Sequence, residues 1–170
     1  MRRLALLLLF ALYACQRQTP RPVLIEEPVR LAQTVSMGNL DHAKQLTRGF
    51  YAIEDNAWRW TQGKFSCVLS SPIQAAAKGA TLVVRMTIPP PLIEKLNDVS
   101  LTVAVNGVRL KTVNYNAPGS RVLRLEVPPS AFKTEPAAVD FVLDKVLPPR
   151  PEDQRVLGVV VTAIGFERKT

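Results

Sequence analysis

From Phe65 to the carboxyl end, apolar and polar residues alternate in short runs broken by proline, glycine and asparagine. Phe65, Cys67 and Leu69 stand against Ser66 and Val68, the pattern of a half-buried strand with Cys67 facing inward. Leu82, Val84, Met86 and Ile88 share one face of the run Thr81 to Ile88, which stops at Pro89-Pro90-Pro91 because proline cannot donate a ladder hydrogen bond. Val99 to Val105 alternates again. Asn106-Gly107 then supplies the two positive dihedrals of a tight turn into Val108 to Val113, which predicts a hairpin. Arg121 to Val127 follows a Pro118-Gly119 turn, and Ala138 to Leu143 places Val139, Phe141 and Leu143 on one side. After a proline-rich loop over Leu147 to Arg155, the long apolar run Val156 to Phe166 reads as a central strand. Roughly seven or eight short strands with almost no helical periodicity predict an all-β fold of two packed antiparallel sheets, a jelly-roll β-sandwich.

The amino-terminal part is patterned differently. Val29 to Thr47 has apolar residues near helical spacing, interrupted by Gly38, and reads as a short helix or ordered linker in which His42 is a solvated side chain. Gln16 to Pro28, with Pro20, Pro22 and Pro28, favours an extended tether. The expected division is a leader over 1–14, a tether and linker over 15–48, and the sandwich over 49–170.

Gly49 to Thr61 concentrates the aromatic chemistry. In an extended strand Trp58 and Trp60 point to one face and Arg59 to the other. Each indole can bury about 150–250 Å². Two readings stay open: the tryptophans serve the core, or they form a surface where indole, Arg59, Glu54 and Asp55 meet a ligand.

The leader is cationic at Arg2-Arg3 and then apolar from Leu4 to Ala14, too short to span a bilayer and suited to a secretory signal. Its end, Leu12-Tyr13-Ala14-Cys15, resembles the lipobox of bacterial lipoproteins, with Tyr13 bulkier than the usual occupant. That resemblance implies cleavage before Cys15, acylation of Cys15, and a membrane as partner through two or three acyl chains. A plain secretory signal with an incidental Cys15 is the alternative. Gln16 after the cysteine implies the outer membrane if the cell is Gram-negative. Losing Arg2 and Arg3 with the leader lowers the formal charge from +8 to +6. The remaining Lys and Arg are scattered singly, which argues against nucleic acid as a partner. The two cysteines suggest no disulfide framework.

Gly49-Phe50-Tyr51, Glu54 and Trp58-Arg59-Trp60-Thr61, taken with the later Pro151-Glu152-Asp153-Gln154-Arg155-Val156-Leu157-Gly158, resemble the small carbohydrate-binding-module-like β-sandwiches appended to bacterial glycosyltransferases and other cell-surface polysaccharide proteins. The resemblance covers about Gly49 to Phe166 and implies that the two segments meet in space. It transfers architecture better than function, and no catalytic domain accompanies the sandwich here. From the charges alone, Asp153, Arg155, Glu54 and Arg59 can pin the ends of the domain or contact a ligand. Candidate ligand-binding residues are therefore Tyr51, Glu54, Trp58, Arg59, Trp60, Asp153 and Arg155. One histidine and one further cysteine do not make a zinc site, and neither a phosphate loop nor a nucleophile elbow is present. The acid pairs Glu54-Asp55 and Glu152-Asp153 read as turn formers. The expectation is a non-catalytic envelope lipoprotein without a cofactor, whose partner is a cell-surface polysaccharide or, alternatively, another envelope protein.

Overall fold

A computed structural model describes residues 30–169; the leader, Cys15 and the tether over 16–28 lie outside the described residues. Among the described residues nine strands run in the order β1 (Thr34–Ser36), β2 (Leu46–Phe50), β3 (Arg59–Leu69), β4 (Ala80–Ile88), β5 (Val99–Val105), β6 (Val108–Tyr115), β7 (Gly119–Val127), β8 (Ala137–Leu143) and β9 (Val160–Arg168). One face has β7-β4-β9 with β1 on the other edge of β9, and the second runs β2-β3-β8-β5-β6; the start of β3, Arg59 and Trp60, also pairs with β9 and joins the two into one path. All pairings are antiparallel. From β2 onward the chain changes sheet at each step except at the β2–β3 and β5–β6 hairpins, which is the connectivity of a jelly roll.

The strands form where alternation predicts them. β5 is buried at every other residue from Val99 to Val105, and β4 buries Leu82, Val84, Met86 and Ile88. Asn106 and Gly107 both take positive φ, 46° and 79°, closing the β5–β6 hairpin as predicted. Between the sheets, Phe65 on β3 stacks on its cross-strand partner Phe141 on β8, with centroids 4.6 Å apart, and Phe50 meets Phe65 edge-on at 5.4 Å. Cys67 is fully buried, as its place in the alternation requires, and burial pushes its thiol pKa far up.

The amino-terminal reading needs correction. Residues 34–50 belong to the sandwich: β1 pairs with β9, Leu40–Gln45 forms a 3-10 turn, and β2 pairs with β3. The division expected at Gly49 therefore falls inside β2. Buried Gln45 fastens this segment, its amide accepting from Ala32 N–H and donating to the Ala32 and Val68 carbonyls. His42 is only half-exposed, its Nδ1 accepting the Ser36 N–H at 3.0 Å. Two short helices were also not foreseen, α1 (Ala75–Lys78) and α2 (Pro90–Leu96). In α2, proline both ends β4 and opens a helix, since its fixed φ suits the first turn.

Candidate functional site

The two motif segments meet at one end of the sandwich. After β2 the chain turns through Glu54-Asp55-Asn56-Ala57, where Asp55 and Asn56 adopt positive φ of 49° and 51° and Ala57 N–H donates to the Glu54 carbonyl at 3.1 Å. Asp and Asn tolerate this region better than other side-chain-bearing residues, so the turn is written into the sequence. Glu54 then bridges to Trp58, and the chain enters β3. On the other side, the loop after β8 folds back through bridges Leu147 to Leu157 and Arg150 to Asp153. Gly158 N–H donates to the Thr61 carbonyl at 2.7 Å, and a Cβ at Gly158 would lie 2.6 Å from Leu143 Cδ1 and 2.8 Å from Thr61 Oγ1. Only glycine lets the loop approach β3 this closely.

Arg155 is the clasp between the segments. Its Nη1 donates to Glu54 Oε1 at 2.8 Å, its Nη2 to Asp153 Oδ2 at 2.8 Å and its Nε to Asp153 Oδ1 at 2.9 Å. The guanidinium lies 5.3 Å from the Tyr51 ring centroid, in cation–π range. Tyr51 closes the arrangement by donating its hydroxyl to the Val156 carbonyl at 2.9 Å. Hydrogen bonds from the Arg155 side chain and backbone N–H pull the Asp153 carboxyl down to about 2, and its two acids raise Arg155 further above its already high range. Glu54, Asp153 and Arg155 thus meet as expected, but they join the loops leading into β3 and β9 and not the ends of the domain, which begins with β1.

Arg59 does not join them, contrary to the expectation of a four-charge meeting. It is 9% exposed, on the inner face of β3 with Thr61, and its Nη1 donates to the Tyr51 carbonyl at 2.9 Å. Its Nε is enclosed without a hydrogen-bond partner among the described residues. An enclosed donor left unpaired costs about 1–3 kcal/mol.

Trp58 and Trp60 do share a face, as the period of two requires, but they are not core residues. Both are half-exposed and meet edge to face, centroids 6.3 Å apart. Trp60 packs on the margin of the core. The indoles take the outer face of the strand and Arg59 the inner one, where the backbone carbonyl of Tyr51 gives it a partner.

Sequence reasoning did not single out the neighbouring cleft of about 360 Å³, which is walled by Leu46, Thr47, Arg48, Gly49 and Phe50 of β2 together with Arg59. β2 loses register with β3 on either side of Arg48, and Gly49, at φ 73°, sits where a Cβ would lie 2.0 Å from the Lys64 carbonyl oxygen. The glycine next to Phe50 was the available signal, but a bulge on an edge strand leaves no periodicity to read.

No family model matches the chain, and no curated protein matches it. Among solved structures, it is similar to an acetyl xylan esterase from the rumen bacterium Butyrivibrio proteoclasticus, at 13% identity and a TM-score of 0.47 over 83% of this chain; the chain spans only 34% of that esterase. It is also similar to the CBM36-1 domain of a multidomain xylanase from the hindgut metagenome of Trinervitermes trinervoides, at 11% identity and a TM-score of 0.36, covering 63% of this chain and 72% of that one.

Proposed function

We propose that this protein is a non-catalytic module of the bacterial cell envelope, held to a membrane by acyl chains on Cys15, whose jelly-roll sandwich binds cell-surface glycan. The observation that carries the glycan reading is the half-exposed Trp58–Trp60 pair beside the Glu54–Arg155–Asp153 clasp. Pyranose rings present apolar C–H faces and polar rims, and an indole surface next to fixed hydrogen-bonding groups complements both. The non-catalytic reading is supported by the fate of the acids, because Glu54 and Asp153 are each bound to the same guanidinium. The anchoring reading rests on Leu12 to Cys15.

The test combines a glycan array with quenching of tryptophan fluorescence by envelope polysaccharides. Trp58→Ala should abolish binding while leaving the circular dichroism unchanged. Absence of glycan binding at millimolar concentration, with recovery of a cross-linked envelope protein, would replace this reading by an assembly role. Binding that survives Trp58→Ala would move the site elsewhere on the sandwich.

A further inference from the structure

We infer that the cleft between β2 and the start of β3 receives the carboxylate of an acidic sugar, with Arg59 as the residue that grips it. This rests on the glycan-binding reading and narrows the ligand class. Arg59 commits Nη1 to the Tyr51 carbonyl. Its Nε has no partner, its Nη2 makes no hydrogen bond, and no acid pairs with it among the described residues. Nε and Nη2 form the side-on edge of a guanidinium, two parallel N–H groups spaced to match the two oxygens of a carboxylate.

The molecule displays that pairing in Arg155, which gives Nη1 to one partner and holds Asp153 on its Nε–Nη2 edge. Arg59 divides its nitrogens the same way, but the chain supplies no carboxylate for the second edge among the described residues. The cleft beside it has two arginines and no acid in its wall. Of the two, Arg48 is paired with Asp140 at 3.2 Å, which leaves Arg59 to recognise an incoming anion.

The rest of the wall is mainly polar: Leu46 and Phe50 line it but pack against the core, and Thr47 is already engaged with Ser66. A volume of about 360 Å³ is at the small end of the roughly 300–1,000 Å³ range of small-molecule sites, so the cleft suits a single ring. Because Nε is enclosed, the carboxylate meets Arg59 through Nη2, the terminal nitrogen that makes no hydrogen bond. The formal charge of +6 that remains once Arg2 and Arg3 leave with the leader favours encounter with an acidic polymer.

The experiment follows the ¹⁵N resonance of Arg59 Nε in the full chain in detergent micelles during titration with galacturonate, galactose and acetate, alongside calorimetry with oligogalacturonate. Galacturonate should shift the Arg59 Nε signal and the amides of residues 46–50, and galactose should not. Arg59→Gln should weaken oligogalacturonate binding at least tenfold with unchanged circular dichroism, and Arg59→Lys should retain part of it. If Arg59→Gln does not fold, the contrast between galacturonate and galactose on the parent chain still decides. Equal shifts with acetate and galacturonate would make the cleft a site for any small carboxylate and overturn the sugar assignment. Glycan binding that is lost in Trp58→Ala but insensitive to Arg59→Gln would overturn this inference and leave the glycan reading intact; no binding of acidic or neutral glycan would end both.

Discussion

The Arg155 clasp gives a coupling energy that can be worked from its geometry. Glu54 and Arg155 are in contact at 2.8 Å, with side chains 33% and 35% exposed. Opposite charges about 4 Å apart attract by about 1 kcal/mol at the dielectric of water and about 4 kcal/mol at that of a typical protein surface. With a third of each side chain in solvent, the value belongs near the lower figure. Fully exposed pairs measure only about 0.2–1 kcal/mol, partly because ordering two long side chains offsets the attraction. Here Arg155 is already ordered by Asp153 and by the Tyr51 ring, so the bond to Glu54 adds little ordering cost. A double-mutant cycle with Glu54→Gln and Arg155→Gln should therefore give a coupling of about 1 kcal/mol. The cost of leaving Asp153 unpaired occurs in both chains that lack Arg155 and cancels. Urea unfolding followed by tryptophan fluorescence measures the four stabilities, provided the slope with denaturant stays constant. In about 1 M salt the coupling should fall, because the screening length shrinks to about 3 Å. A coupling below about 0.3 kcal/mol would be within the error of additivity and would remove Glu54 from the clasp; a coupling indifferent to salt would show that its origin is not charge.

Three further outcomes are expected. Asp153 titrates at about 2 in the folded chain against an ordinary 3.8, so its stabilising effect is present above pH 3.8 and is lost as pH falls through about 2; Asp153→Asn should flatten the fall in melting temperature between pH 4 and 2, and an unchanged profile would contradict the clasp. Gly49→Ala should destabilise the domain by at least about 2 kcal/mol in urea, since it combines positive φ with a collision against the Lys64 carbonyl, and a neutral effect would mean that β2 repacks freely. Cys15→Ala should release the protein from membranes, and a variant that still fractionates with them and takes up as much lipid label would end the lipoprotein reading.

What the sequence disclosed and withheld follows from how far each feature depends on neighbours in the chain. β5 and β8 bury every second residue, and β4 and β7 keep their less exposed residues mainly on one face, so the limits of all four could be read to within a residue or two. β1 is three residues long and is held by β9, its partner from the far end of the chain, so nothing local announces it. Proline in Pro89-Pro90-Pro91 carries two meanings, strand stop and helix start, and only the packing of buried Leu92 selects the second. Period two fixed that Arg59 opposes Trp58 and Trp60 but could not say which face is inner. The resemblance implied that the two segments meet, but charge could not assign partners among their four charged residues, because Glu54 is close in sequence to Arg59 and remote from Arg155. The fold resolves that ambiguity by giving both acids to Arg155, and by doing so it leaves Arg59 with a carbonyl and no carboxylate among the described residues. Two arginines of the same motif pair thus have different work: one joins the segments of the domain, and the other lines a cleft with no acid paired to it among the described residues.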